Sequence, residues 1–319
     1  MISVADVRAA RERIAGHVHR TPLVGSATLS RLTGCRAYLK LENFQKTGSF
    51  KPRGAFNNMS QLDAAQRSKG VITISAGNHA QGVSYAASLL GIRAVVVMPG
   101  SASRLKAEAA RGYGAEVILH GDMAGAFQKL EEVRSERGLI FVHPFDDDRT
   151  IAGQGTVGLE ILEDLPDVDT VVVGIGGGGL ISGVALAVKE CRPRTRVIGV
   201  EPTGAAVMHL SRATGAPARL DRLDTIADGL AAPFAGTRNF EIVQKYVDDL
   251  VLVDDSEIRS AMKLLLERCK VLAEPAGAAA TAALLAGRIP SRNGAGRTAV
   301  IVSGGNVGLD TLSDLLKSP

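Results

Sequence analysis

The chain alternates short apolar strand patterns with helical patterns, and this alternation constrains the fold more than any other feature. Residues 71–74 predict a strand, residues 80–90 predict a helix, and residues 94–98 predict the next strand. The same order continues to a strand at 139–142 and starts again with a helix at 152–164. Strands separated by helices pair in parallel, so the sequence predicts an α/β fold with two doubly wound parallel-sheet domains.

Composition narrows the class of protein and its partners. The 319 residues are enough for two domains, and 45% hydrophobic and 22% charged residues are typical of a soluble globular protein. The net charge is +4, but the basic residues are scattered and tryptophan is absent, so nucleic acid is not an expected partner. Residues 170–188 carry no charge, yet six of them are glycine, which indicates a strand, loop and helix rather than a membrane span. Three widely spaced cysteines indicate reduced thiols and a cytoplasmic location.

A lysine at a predicted helix start is the first candidate for chemistry. Residues 47–52 read Thr-Gly-Ser-Phe-Lys-Pro, and Pro52 is favoured in the first turn of a helix, which places Lys51 near the helix N-terminus. The field of the helix dipole disfavours an ammonium there and lowers its pKa. Only a neutral amine attacks a carbonyl, so Lys51 is a candidate imine-forming nucleophile, although most lysines are solvated surface charges.

A run of glycines between a predicted strand and helix is the second candidate. Residues 174–179 read Gly-Ile-Gly-Gly-Gly-Gly, and consecutive glycines let backbone N–H groups converge on an anion at the helix N-terminus. This pattern predicts a phosphate site. Gly174, Gly176 and Gly179 also satisfy the dinucleotide pattern G-x-G-x-x-G, and Glu201 ends the next strand where a ribose-binding acid would lie. A NAD-dependent oxidoreductase is therefore an alternative from a different class.

Two further strand ends carry polar residues. Residues 75–79 read Ser-Ala-Gly-Asn-His, where Asn78 can donate to a phenolate-type oxygen and Ser75 and the free backbone N–H groups can hold a carboxylate. Ser303 ends the last predicted strand, so its hydroxyl is expected to face the crevice at the carboxyl edge of the sheet. An ordinary capped turn explains residues 75–79 equally well, and Glu274 is equally explained as a helix-start acid.

The combination of these stretches resembles the pyridoxal-phosphate enzymes of fold type II, whose fold is tryptophan synthase β-like. The resemblance covers nearly the whole chain and is strongest for the threonine dehydratase and serine racemase group. It is carried by residues 48–54, 75–82, 176–180 and 303–306. The O-acetylserine sulfhydrylase branch has a threonine-led Asn loop and a GTGGT-type phosphate loop, and this chain has neither. The resemblance implies a large cofactor-binding domain formed by residues 1–54 and 147–319 and a small α/β domain formed by residues 55–146.

Carried over by position, the resemblance implies that the cofactor is pyridoxal 5′-phosphate and that Lys51 forms the Schiff base with it. Phe50 would pack beside the ring, Asn78 would bond the ring hydroxyl oxygen, and Ser303 would meet the pyridine nitrogen. The phosphate would be held by Gly176, Gly177, Gly178, Gly179 and Leu180, and the substrate carboxylate by Ser75, Ala76, Gly77, Asn78 and His79. A serine cannot hold the pyridine nitrogen protonated as a carboxylate would, which favours β-elimination over transamination.

Two departures from the family pattern limit what is expected. Ala76 stands where the serine racemases carry a serine that acts as acid or base on the ring face opposite the lysine, so efficient racemisation is not expected. Metal-activated relatives bind a divalent ion through a Glu-Pro segment and an acid six residues after the Glu. Here Glu201 is followed by Val207 at that position, and no metal is predicted. The chain stops near residue 319, so no C-terminal regulatory domain is expected.

These observations lead us to expect a pyridoxal-phosphate-dependent L-threonine/L-serine dehydratase (ammonia-lyase) that eliminates the β-hydroxyl group. Its products would be 2-oxobutanoate or pyruvate, plus ammonia. Alternatives are a threo-3-hydroxyaspartate ammonia-lyase, which would need an additional cation for the distal carboxylate, and a serine racemase-like enzyme. The expected partners are a small hydroxy amino acid and further copies of the chain in a homodimer or homotetramer, with no nucleic acid and no membrane.

Overall fold

Two separate sheets organise the chain. The structure is a computed structural model that describes residues 2–289 and 296–317. Its strands are β1 Leu23–Gly25, β2 Arg36–Leu41, β3 Val71–Ile74, β4 Ala94–Met98, β5 Glu116–Leu119, β6 Ile140–Phe141, β7 Thr170–Gly174, β8 Arg196–Pro202, β9 Asp249–Val253 and β10 Arg297–Val302. Its helices are α1 Val4–Ile14, α2 Ala27–Thr33, α3 Lys51–Met59, α4 Ala64–Lys69, α5 Asn78–Leu90, α6 Arg104–Gly112, α7 Met123–Arg137, α8 Asp148–Asp164, α9 Gly179–Cys191, α10 Val207–Thr214, α11 Thr237–Tyr246, α12 Asp255–Leu264, α13 Pro275–Leu285 and α14 Leu309–Lys317.

The strand order of both sheets confirms the predicted parallel α/β fold. The larger sheet has the order β1-β2-β10-β7-β8-β9 and the smaller sheet has the order β5-β4-β3-β6. All of these neighbouring strands pair in parallel except β1, which runs antiparallel to β2 at the edge of the larger sheet. Every residue of β3, β4 and β7 is buried, as expected of apolar strands with helices on both faces of the sheet.

The two sheets occupy different parts of the chain. All strands of the smaller sheet lie within residues 55–146, and all strands of the larger sheet lie outside that range. Helix α3 packs against both α5 and α8, and so it joins the two halves. The domain boundaries at 54/55 and 146/147 stay a prediction.

Several helices were not predicted from the sequence. Helix α4 has only six residues and begins with a capping box between Asp63 and Gln66. Helices α10 and α11 are short and begin within residues 202–240, the least readable part of the chain. Helix α14 follows the last predicted strand. The sequence predicts one helix over residues 255–269, whereas α12 ends at Leu264 and a π-helical turn follows over Leu265–Cys269.

The uncharged stretch at residues 170–188 forms β7, the glycine loop and most of α9. In the described part of the chain, we find no helix that combines the length and the apolar character needed to cross a membrane.

A buried cluster of charged side chains fixes the start of α3. The Arg53 guanidinium donates to both carboxylate oxygens of Glu42, at 2.8 and 2.9 Å, and to both oxygens of Glu160, at 2.7 and 2.9 Å. Lys40 Nζ donates to Glu160 as well, at 2.5 Å. All four side chains are buried, and the two cations balance the two anions. The cluster therefore ties α3 to the end of β2 and to α8, two residues after Lys51.

Candidate active site

All of the predicted site residues line one cavity. This cavity of about 270 Å³ lies where the chain leaves the carboxyl ends of β2, β3, β7 and β10. Its walls include every residue named from the sequence: Phe50, Lys51, Ser75, Ala76, Gly77, Asn78, His79, Gly176, Gly177, Gly178, Gly179, Leu180 and Ser303. The carboxyl edge of parallel strands is the usual ligand site of such folds, because the loops that leave the strands meet there.

The turn before Lys51 is held by the loop that follows β10. Thr47 and Gly48 adopt left-handed backbone conformations, with φ angles of 64° and 72°. Asn306 Nδ2 donates to the Thr47 carbonyl at 2.7 Å, and the Phe50 N–H donates to the Ser303 carbonyl at 3.1 Å. A left-handed conformation is costly for a β-branched residue such as threonine, so these contacts from another loop are what maintain it. They fix the direction in which Lys51 leaves the turn.

Lys51 presents a weakly basic amine to the cavity. Its Nζ donates to the Pro144 carbonyl at 3.1 Å and lies 5.1 Å from the centre of the Phe50 ring. Removal from bulk water lowers the pKa of Lys51 to about 8, although the nearby Glu274 carboxylate acts in the opposite direction. A lysine with this pKa has a substantial neutral fraction at neutral pH. The pKa shift expected from the sequence is thus present, with burial as its main cause.

The Ser75–His79 segment ends β3 and starts α5. Helix α5 begins at Asn78, two residues earlier than predicted, and Gly77 is its N-cap residue in a non-helical conformation. Asn78 and His79 therefore belong to the first helical turn, where backbone N–H groups lack partners within the helix. Ser75 Oγ accepts the N–H of Gly77 at 3.1 Å. This end of the cavity offers N–H donors and the positive end of a helix to a carboxylate.

His79 is held as a neutral imidazole. Its Nε2 lies 3.2 Å from the Val142 carbonyl, and its Nδ1 has no hydrogen-bond partner. Burial is the main cause that lowers the pKa of His79 well below its ordinary value, and the Lys51 charge adds to the effect. The ring therefore contributes no positive charge to the cavity near pH 7.

Glu274 lines the cavity, a position that reasoning from the sequence did not give it. Asn78 Nδ2 donates to Glu274 Oε1 at 2.5 Å, while Asn78 Oδ1 accepts from Asn306 Nδ2 at 2.9 Å. The other oxygen of Glu274 is buried without a partner, and burial raises the pKa of this carboxyl to about 7. Glu274 thus orients Asn78 beside Lys51. The only sequence indication was an acidic residue before a proline-started helix, which has an ordinary structural explanation.

The glycine run forms a cradle that has no room for side chains. A Cβ atom on Gly177 would lie 2.5 Å from the Phe145 ring, and one on Gly178 would lie 2.7 Å from Asn239 Cβ. Gly178 also has a φ of 102°, which disfavours any other residue. Helix α9 starts at Gly179, so the N–H groups of the run and of the first helical turn remain available to an anion.

Ser303 closes the cavity from the end of β10. Its side chain is buried, and its Oγ donates to the Ala276 carbonyl at 3.4 Å. This long contact leaves the hydroxyl able to turn toward a ligand in the cavity.

Residues outside the predicted stretches also line the cavity. They come from the segment after β6, which brings Pro144 and Phe145, and from residues 228–234 of the poorly readable region. Lys106 of α6 reaches the cavity from the half of the chain with the smaller sheet. Residues 225–229 read Thr-Ile-Ala-Asp-Gly, and nothing in the sequence showed that the fold would bring Asp228 and Gly229 to the cavity.

Glu201 lies outside the lining of the cavity and caps the start of α10. It is fully buried, and its two carboxylate oxygens accept the N–H groups of Met208 and His209, each at 2.7 Å, at the start of α10. A dinucleotide site needs an acidic residue that is free to bind a ribose, and both carboxylate oxygens of Glu201 already accept backbone N–H groups. No cluster of three or more His, Cys, Asp or Glu able to hold a metal occurs among the residues that the structure describes. That no metal is required stays a prediction.

Comparisons with known proteins agree with this geometry. The model of the family described as "Pyridoxal-phosphate dependent enzyme" matches residues 14–304. The chain is 45% identical to an L-threonine ammonia-lyase of Thermotoga maritima, over 99% of this chain and 78% of that protein. It is also 45% identical to the Escherichia coli protein named L-threonine dehydratase catabolic TdcB, over 98% of this chain and 96% of that one.

A solved structure of maize serine racemase superposes with a TM-score of 0.94 at 43% identity, covering 98% of this chain and 96% of that chain. These matches cover nearly the whole chain, including the glycine run, and they therefore argue against a NAD-dependent oxidoreductase. The chain belongs to the family of pyridoxal-phosphate dependent enzymes, within its fold type II threonine dehydratase group.

Proposed function

We propose that this protein is an L-threonine/L-serine ammonia-lyase that removes the β-hydroxyl group of its substrate and yields ammonia with 2-oxobutanoate or pyruvate. The observation that carries the proposal is the position of Lys51, an amine with a pKa of about 8, in one cavity with the glycine cradle. The names of the relatives from Thermotoga maritima and Escherichia coli support the same reaction.

The residues of the cavity fit pyridoxal phosphate. The cradle of Gly176, Gly177, Gly178, Gly179 and Leu180 would hold the phosphate through backbone N–H groups, because side chains are sterically excluded there. Lys51 would hold the cofactor covalently through Nζ. Phe50 would pack beside the ring, Asn78 would donate to the ring hydroxyl oxygen, and Ser303 would face the ring nitrogen. When bound, the cofactor supplies an electron-withdrawing ring that acidifies the Cα–H bond of an amino acid.

The chain's own residues then position the substrate and move its proton. The substrate carboxylate would dock at Ser75, Ala76, Gly77, Asn78 and His79, where the first turn of α5 offers unpaired N–H groups. Lys51 Nζ, freed when the substrate amino group replaces it, would accept the proton from the substrate Cα, for which its lowered pKa is suited. The β-hydroxyl group would leave with a proton as water. Glu274 would keep Asn78 in place through their hydrogen bond.

Serine racemisation is the alternative within the same family, and the similarity to maize serine racemase favours it. Ala76 opposes it, because its methyl group offers no proton on the side of the cavity where a second acid or base would be needed. The formation of D-serine from L-serine distinguishes the two reactions.

We also propose a cytoplasmic enzyme that assembles as a homodimer or homotetramer. The described cysteines Cys35, Cys191 and Cys269 are free thiols, which fits a reducing compartment. Sedimentation of the purified protein tests the oligomeric state.

The proposed reaction is tested by the release of ammonia and 2-oxo acid from L-threonine and L-serine by the purified protein. The variant Lys51→Ala is expected to lose turnover, while Lys46→Ala in the same segment keeps it, since Lys46 does not line the cavity. Turnover near the wild-type rate in Lys51→Ala would contradict the proposed role of Lys51, and inactivity of the wild type on both substrates would contradict the reaction.

A further inference from the structure

An ion pair spans the mouth of the cavity between the two halves of the chain. Lys106 Nζ of α6 lies 2.5 Å from Asp228 Oδ2, on the 3-10 turn Asp228–Leu230. The lysine side chain is only 12% exposed, whereas the aspartate is 62% exposed and stands at the rim. The ammonium therefore points into the cavity and the carboxylate covers it from outside.

The ammonium lies close to the segment that would hold the substrate. A Cβ atom built on Gly77 would lie 3.8 Å from Lys106 Nζ, and apart from Gly77 and its two chain neighbours no other described atom lies within 4 Å of it. The turn that carries Asp228 is also closely packed: a Cβ atom built on Gly229 would lie 2.8 Å from the Cβ of Ala276. Lys106 thus occupies the space between the Ser75–His79 segment and the turn at residues 228–230.

The charges in the cavity make this lysine distinctive. Among the described lining residues, Lys51 and Lys106 are the ones with cationic side chains, and no arginine is present. In the proposed function, Lys51 binds the cofactor and accepts the substrate proton, so it is not available to pair with a second carboxylate. A substrate with a second carboxylate would therefore need the Lys106 ammonium, which Asp228 already neutralises.

The direction of the substrate side chain follows from the proposed function, on which this step rests. The amino group of the substrate faces the cofactor and Lys51, and its α-carboxylate faces the start of α5. The side chain then faces lining residues that neither group uses, and Lys106 and Asp228 are two of these. We infer that the Lys106–Asp228 pair sets substrate specificity by masking an ammonium, so that the enzyme takes uncharged β-hydroxy amino acids and rejects threo-3-hydroxyaspartate.

Binding of two carbon-matched acids tests this inference without requiring turnover. Succinate carries two carboxylates, whereas butyrate has the same chain length and one carboxylate. In titration calorimetry with the holoenzyme, Asp228→Asn is expected to increase the affinity for succinate relative to butyrate about tenfold, because it exposes a charge that only succinate can use. Asp228→Ser serves as a second variant with the same expected result.

Two further variants assign the effect to the ammonium. The gain is expected to disappear in the double variant Lys106→Gln/Asp228→Asn. Asp224→Asn removes an exposed carboxylate that pairs with Arg222 outside the cavity, and it is expected to leave the ratio unchanged. In turnover, the ratio of kcat/KM for threo-3-hydroxyaspartate to that for L-threonine should rise in Asp228→Asn.

The outcomes separate this inference from the proposed function. An equal gain for succinate and butyrate would place Lys106 at the α-carboxylate and overturn the inference, as would an unchanged ratio or no succinate binding to Asp228→Asn. Inactivity of the wild type on L-threonine and L-serine, combined with the expected shift in succinate binding, would overturn the proposed reaction and leave the role of the ion pair intact.

Discussion

Replacement of Arg53 by methionine is expected to destabilise the fold by about 3–5 kcal/mol, because it removes one partner from a buried ion network. Arg53 makes four hydrogen bonds to the carboxylates of Glu42 and Glu160, at 2.7–2.9 Å. Each hydrogen bond to a charged group contributes about 1.5–3 kcal/mol, so the gross loss is about 6–12 kcal/mol. Lys40 still pairs with Glu160 in the variant, and this remaining contact reduces the net cost.

Urea unfolding followed by circular dichroism measures this loss as a shift of the midpoint at constant slope. Arg222→Met is the matched control, because Arg222 is 83% exposed and its ion pair with Asp224 is expected to contribute less than about 1 kcal/mol. The double variant Arg53→Met/Glu42→Gln should be more stable than Arg53→Met alone, since it removes the carboxylate left without a cation. A loss below about 1 kcal/mol for Arg53→Met would refute the view that this cluster anchors α3.

The cavity leads to four further predictions. With a pKa of about 8 for Lys51, the neutral amine fraction rises about tenfold from pH 7 to pH 9, so stopped-flow binding of pyridoxal phosphate to cofactor-free protein should accelerate over this range. Glu274→Gln should move that profile to lower pH, because the Glu274 carboxylate raises the pKa of Lys51; a shift to higher pH would disprove the coupling. Chiral chromatography should detect no D-serine formed from L-serine by the wild type, while Ala76→Ser should form it; rapid racemisation by the wild type would disagree with the role given to Ala76. Gly177→Ala should weaken cofactor binding about tenfold, because its Cβ atom would clash with the Phe145 ring. Unchanged affinity in a fluorescence titration would show that the glycine run can accommodate a methyl group.

The parts of the site that were predictable lie in short continuous stretches. The glycine run, the lysine turn and the Asn78 segment each combine a strand end with a helix start, and the physical reason for each residue is local. Parallel strands bring such ends to one edge of a sheet, so their convergence followed once the strand and helix alternation was recognised. Together these features led from the sequence to the fold and to the lining of the cavity.

The parts that were missed depend on contacts between distant residues. Glu274 contacts Asn78 across 196 positions, and Lys106 contacts Asp228 across 122 positions. Neither pair has a spacing that a sequence pattern could reveal. Helix α10 begins where Glu201 accepts its first N–H groups, so its start depends on a side chain at the end of β8 rather than on a local capping residue.

Lys51 is proposed to bind the cofactor covalently, and peptide mapping after borohydride reduction of the holoenzyme shows which lysine does so. Reduction makes the bond between a lysine amine and the cofactor aldehyde permanent, so that a digest analysed by mass spectrometry identifies the modified residue. The expected result is the reduced cofactor on Lys51, in the peptide that contains residues 47–51 before Pro52. Modification of Lys106 instead, or of neither cavity lysine, would contradict it.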